Sequence, residues 1–136
     1  MKIYFGGSIR GGRQDKALYL QIIDLLKEYG PVLTEHVGEK TLSELGEHMV
    51  AESFIYQRDM DWIKECDVLV AEVTQPSLGV GYEIREAEML GKRILCLYRA
   101  QDGRSLSAMV RGSPHLTVKH YSDIADITLI LAEFFK

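Results

Sequence analysis

Five short apolar runs alternate along this chain with stretches of helical periodicity. Ile3-Tyr4-Phe5, Val32-Leu33-Thr34, Asp67 to Val73, Arg93 to Tyr98 and Leu116-Thr117-Val118 read as strands. The third is apolar nearly throughout, as expected of a central strand covered on both faces. From Asp15 onward Leu18, Ile22, Leu25 and Leu26 recur at helical spacing, and Tyr29-Gly30-Pro31 stops the pattern. Thr41 to Glu65 is rich in helix formers, with Ser43 and Glu44 near a start and Met49, Phe54, Met60, Trp62 and Ile63 as core contacts. A further helix is expected from about Tyr82 to Leu90, ended by Gly91-Lys92, and an amphipathic one from Ile124 to Phe135. Arg99 to Pro114 reads as loop.

Five strands alternating with helices imply an α/β fold: a doubly wound, five-stranded parallel sheet with helices on both faces and right-handed crossovers. In the flavodoxin-like order 2-1-3-4-5 the winding reverses between the first and third strands, and a crevice opens at their carboxyl ends. The loops meeting there are Gly7 to Arg13 and Thr74 to Gly81, the two segments richest in glycine, serine and arginine. Two independent signals thus converge on one site.

The second loop, in EVTQPSLGVGYE, offers hydroxyls from Thr74 and Ser77 and bare amides at Gly79 and Gly81 to an anion. Glu83 is expected in the first turn of the following helix, where the dipole favours a charged carboxylate suited to attack on an electron-poor carbon. The first loop, GGSIRGGR, has neither GxGxxG spacing nor a P-loop ending. What remains is a cradle for one phosphate monoester, with a hydroxyl from Ser8 and a guanidinium from Arg10. In YQRDMDW, Asp59 and Asp61 are two apart and cannot share a helix face. Asp59, in line with Trp62 and Ile63, is the one expected at the crevice, either functional or paired with a base such as Arg58 or Lys64. Tyr4, ending the first strand, is either a core aromatic or a hydroxyl that orients Glu83. His36 and His48 have no HExxH and no third ligand, so no metal and no cofactor is expected.

At 136 residues and 46% apolar content the chain suits one domain, residues 1–136. A net charge of -4 and a pI near 5.6 argue against a nucleic-acid polymer or an anionic membrane as partner and for a small phosphate compound. Cys66 and Cys96 fall in apolar patterns without a CxxC pair and read as buried, reduced thiols. No apolar run reaches membrane-spanning length, so a cytoplasmic protein is expected.

Several segments together carry a resemblance that covers almost the whole chain. YFGGSIRGGR at Tyr4 to Arg13, LTEHV at Leu33 to Val37, the QxD around Asp59, VAEVTQPSLGVGYE at Val70 to Glu83, and RILCLYR with LSAM at Leu106 to Met109 resemble the 2'-deoxynucleoside 5'-monophosphate N-hydrolases of the nucleoside 2-deoxyribosyltransferase superfamily. The chain departs from that pattern between Gly38 and Phe54, and Gly6 stands where animal members carry cysteine. The resemblance implies hydrolysis of the N-glycosidic bond of a deoxynucleoside monophosphate to a free base and 2-deoxyribose 5-phosphate. It makes Glu83 the nucleophile, Asp59 its catalytic partner and Tyr4 a hydrogen-bonding neighbour. It has Ser8, Arg10, Ser77 and the amides of Gly7 to Gly11 and Gly79 grip the 5'-phosphate, with Ile9, His36 and Ala108 also contacting substrate. It further implies a homodimer, in which Ser107 enters the neighbouring site with Met109 beside it. Three other functions use a similar crevice: transfer of the deoxyribosyl group to a second base, non-catalytic nucleotide sensing, and a cytokinin-activating phosphoribohydrolase. The PGGxGT signature of the last is absent.

Overall fold

The computed structural model describes residues 1–8, 13–34, 51–101 and 103–136. The strands are β1 (Ile3–Gly6), β2 (Val32–Leu33), β3 (Val68–Glu72), β4 (Arg93–Tyr98) and β5 (Thr117–His120). Among the described residues the helices are α1 (Arg13–Leu26), α2 (Glu52–Glu65), α3 (Leu78–Met89), α4 (Ala108–Arg111) and α5 (Ile124–Phe134). The sheet is wholly parallel in the order β2-β1-β3-β4-β5, as the alternation of elements predicts. Tyr4 pairs with Leu69 and Gly6 with Ala71, so β3 ends one residue beyond β1.

The period of two in the central strands divides the core. Ile3, Phe5, Val68, Val70, Leu95 and Leu97 pack with α1 and α5 on one face. Tyr4, Leu69, Ala71, Ile94 and Cys96 pack with α2 and α3 on the other. Each fully buried Ile or Leu contributes about 1.5 to 3 kcal/mol, so both faces must be covered for the sheet to persist. The two thiols are buried and unpaired; burial pushes Cys66 up to about 11 and Cys96 to about 12, which leaves them inert at neutral pH.

Several boundaries differ from the sequence expectation. The expected start of α2 near Ser43, together with Met49, lies outside the described residues. Met60 and Ile63 are core residues, but Phe54 is 57% exposed, because it lies in the first turn of α2 before the helix reaches the sheet. β5 runs to His120 rather than ending at Val118, since its pairing with β4 extends to Tyr98. The stretch read as loop from Arg99 contains one helical turn, α4, capped by Ser107, whose hydroxyl accepts from the Met109 amide at 3.2 Å. Most consequential is α3, which begins four residues before the expected Tyr82. Ser77 caps it by accepting from the Val80 amide at 3.3 Å, and Val80, Ile84 and Ala87 bury one stripe against the sheet. That cap and burial outweigh the roughly 1 kcal/mol that each of Gly79 and Gly81 costs a helix. The helix stops as expected, with Gly91 in the left-handed region at φ 71°.

Candidate active site

Because α3 starts at Leu78, Glu83 lies in its second turn and not in the first. It is therefore not placed where the helix dipole would hold it charged. Its position is three residues after Val80 and one before Ile84, within the apolar stripe, and the carboxylate is turned inward and only 6% exposed. Burial pushes Glu83 up to about 7; the Tyr4 hydrogen bond and the Arg58 charge oppose the rise, and the Asp59 charge adds to it. Burial thus opposes the charge that the sequence expectation assigned to Glu83 through the helix dipole.

Tyr4 is fully buried, and its hydroxyl donates to Glu83 Oε2. Gly6 leaves the end of β1 open beneath the carboxylate, since a Cβ there would lie 3.7 Å from Glu83 Oε2. Asp59 is buried on the inward face of α2 while Asp61 is exposed, as their spacing requires. Asp59 Oδ1 accepts from Arg58 Nε at 3.0 Å, and the Arg58 guanidinium lies 4.8 Å from the centre of the Trp62 ring. The structure brings Glu83, Tyr4 and Asp59 together on the α2/α3 side of the sheet, at the carboxyl ends of β1 and β3.

Of the side chains expected to grip an anion, Ser8 and Ser77 are described. Ser8 is buried just beyond β1. Ser77 uses its oxygen as the cap of α3, which leaves its hydroxyl proton free to donate, and the Leu78 and Gly79 amides open the helix beside it. Ile9, Arg10, Gly11 and His36 lie outside the described residues. Ser107, Ala108 and Met109 are exposed and do not sit at their own chain's Glu83. They line one wall of a groove of about 1060 Å³ whose other wall is formed by Leu78, Gly81 and Arg85 of α3. Among the described residues no cluster of His, Cys, Asp and Glu could hold a metal, and no helix is long and apolar enough to cross a membrane.

Sequence reasoning missed a second polar cluster, on the α1/α5 face, built from Glu72, Thr74, Arg99, Tyr121, Asp15 and Tyr19. The available signal was Glu72 itself, a charge ending a strand whose other residues are all apolar.

This parallel sheet, with a buried carboxylate and tyrosine near its switch point, defines a doubly wound α/β protein with a polar crevice. Residues 3–117 match the family Nucleoside 2-deoxyribosyltransferase, and the chain belongs to it. It is 52% identical over 141 residues to the 5-hydroxymethyl-dUMP N-hydrolase of Esox lucius, covering 100% of this chain and 97% of that protein. To the 5-hydroxymethyl-dUMP N-hydrolase of Rattus norvegicus it is 58% identical over 112 residues, covering 82% of this chain and 69% of that protein. Among solved structures, the Clostridium botulinum CMP N-glycosidase BcmB superposes with a TM-score of 0.68 at 18% identity, covering 98% of this chain and 99% of that one, a likeness of fold.

Proposed function

We propose that this enzyme hydrolyses the N-glycosidic bond of 2'-deoxynucleoside 5'-monophosphates, 5-hydroxymethyl-dUMP among them, through a covalent ester on Glu83. The observation that carries the reading is the buried Glu83 carboxylate held by the Tyr4 hydroxyl, with the buried Asp59 charge acting on it. It occurs in a chain more than half identical to proteins named for this hydrolysis.

Glu83 attacks the anomeric carbon as the bond to the base nitrogen breaks, and the bonding pair leaves with the base. The base takes a proton from solvent, while Asp59, ion-paired with Arg58, orients the reacting groups. Water then cleaves the glycosyl ester, giving 2-deoxyribose 5-phosphate with retained configuration and restoring the carboxylate. Burial makes this geometry productive. An ionised Glu83 is poorly solvated before reaction, and positive charge developing on the sugar ring stabilises it more in the transition state than in the ground state.

Incubation with a panel of deoxy- and ribonucleoside monophosphates, scoring free base by chromatography, tests the reading. Base release from the deoxynucleotides supports it. Release only when a second base is supplied would make the protein a transferase, and binding without release would make it a sensor. Ser8→Ala and Ser77→Ala are each expected to raise KM for monophosphates more than for nucleosides. A lost hydrogen bond to a charged group is worth about 1.5 to 3 kcal/mol, or roughly ten- to a hundredfold. Equal KM changes for both substrate types would count against the cradle.

The active form in this reading is a homodimer. Leu78 is 98% exposed and Met109 84%, on opposite walls of the α3 groove, and Tyr82 and Met89 share with Leu78 the exposed face of α3, opposite its buried stripe. A second copy seated there would cover that surface and carry Ser107 towards the neighbouring crevice. Leu78→Arg is expected to give a monomer in light scattering with base release reduced at least tenfold, since it buries an unpaired charge in the contact. A fully active monomeric variant would remove the dimer from the mechanism.

A further inference from the structure

Glu72 is the last residue of β3 and only 1% exposed, yet it takes no part in the chemistry proposed for Glu83. Strand alternation turns it to the α1/α5 face, away from Tyr4 and Glu83. Burial raises it above the usual carboxylate range, and three partners oppose the rise. Tyr121 donates its hydroxyl to Oε2 at 2.5 Å, the Thr74 amide donates to Oε1 at 2.6 Å, and the Arg99 guanidinium supplies opposite charge. Buried ionic clusters seldom stabilise a fold better than apolar side chains of similar volume, so stability is a weak reason for this one. Its connections suggest a stronger reason.

Arg99, just after β4, ties two separate segments together. Its amide donates to Thr74 Oγ1 at 2.9 Å, and its guanidinium donates to Asp15 Oδ1 at 3.1 Å. Thr74 lies three residues before Ser77 in the second loop, and Asp15 is buried in the first turn of α1, where the first loop enters the helix. One turn further along α1, Tyr19 packs against Gly7 and Ser8. A Cβ on Gly7 would lie 3.0 Å from its ring, and its hydroxyl lies against the Ser8 backbone. Arg99 therefore connects the start of α1, whose Tyr19 lies against Gly7 and Ser8, to Thr74, three residues before Ser77.

We infer that Asp15, Arg99 and Glu72 are positioning residues that fix the spacing between Ser8 and Ser77, and so set affinity for the 5'-phosphate without touching the anomeric carbon. The inference rests on the reading of the crevice as a deoxynucleotide site. Arg99→Ala and Asp15→Ala are each expected to raise KM for a deoxynucleoside monophosphate about tenfold while kcat changes less than about threefold. The double variant should be little worse than either single one, because both remove the same bridge. Asp15→Asn, which keeps an acceptor for Arg99, should recover most of the loss. Calorimetric affinity for 2-deoxyribose 5-phosphate should fall by the same factor, and this readout needs no turnover.

Wild-type affinity for 2-deoxyribose 5-phosphate in the alanine variants would overturn the inference, as would a fall in kcat with KM unchanged. Should an alanine variant fail to fold, Arg99→Lys, which keeps the charge but loses the planar fork, decides by the same affinity measurement. A wild-type protein that binds the sugar phosphate yet releases no base would refute the proposed reaction, and the calorimetry would still judge the positioning role.

Discussion

Glu83→Gln is expected to lower base release at least about a thousandfold while making the protein more stable above neutral pH. The catalytic loss follows from removing the attacking oxygen, because a neutral amide neither forms the glycosyl ester nor stabilises positive charge on the ring. The gain in stability follows from where α3 places the carboxylate. Burial raises Glu83 to about 7 from 4.5. Below about pH 4.5 both folded and unfolded chains carry the proton, and the group costs nothing. Between about 4.5 and 7 the unfolded chain ionises while the folded one keeps its proton, so stability falls as pH rises. Above 7 the full difference, about 3 kcal/mol, stands against the fold. Glutamine keeps the size and an acceptor for the Tyr4 hydroxyl but has no charge to desolvate. Thermal melts should place the variant on the order of 10 °C above wild type at pH 8 and close to it near pH 4. A variant that retains turnover rejects Glu83 as nucleophile. One that melts with wild type at both pH values rejects the buried, raised carboxylate.

The same placement explains what the sequence could disclose and what it could not. Sheet order and the two-sided core were legible because each rests on a repeated signal. The third strand's unbroken apolar run required burial on both faces, and Leu18, Ile22, Leu25 and Leu26 gave α1 several votes. The start of α3 was not legible, because local propensity at Gly79 and Gly81 opposes helix and only tertiary burial of Val80, Ile84 and Ala87 overrides it. That error moved Glu83 by one turn and reversed the inferred electrostatics, from a dipole-stabilised charge to a desolvated one. The stripe formed by Val80, Glu83, Ile84 and Ala87 was nevertheless present in the spacing. Asp59 was separable from Asp61 because helix geometry alone turns one of them inward. The cluster around Glu72 and Arg99 was beyond reach for a different reason. Its members lie on β3, the following loop, α1 and the ends of β4 and β5, and only the closed sheet brings them together.

Tyr4 is the group through which β1 controls the charge of Glu83, and Tyr4→Phe separates that control from mere packing. The ring fills the same volume in a fully buried position, so the fold should hold. Loss of the hydroxyl removes the interaction that most strongly opposes the burial effect on Glu83, leaving Arg58 to act against Asp59 and desolvation. A hydrogen bond to a charged group is worth about 1.5 to 3 kcal/mol, so the acid limb of the kcat/KM profile should move alkaline by about one pH unit or more. Activity at pH 7 should fall about fivefold or more and recover substantially by pH 9. The substrate's own second phosphate ionisation, near pH 6, affects both proteins alike and cancels in the comparison. Were the limb to stay in place while the high-pH plateau dropped, the hydroxyl would be orienting the carboxylate rather than setting its charge. A profile identical to wild type would mean that the buried contact between Tyr4 and Glu83 plays no part in turnover.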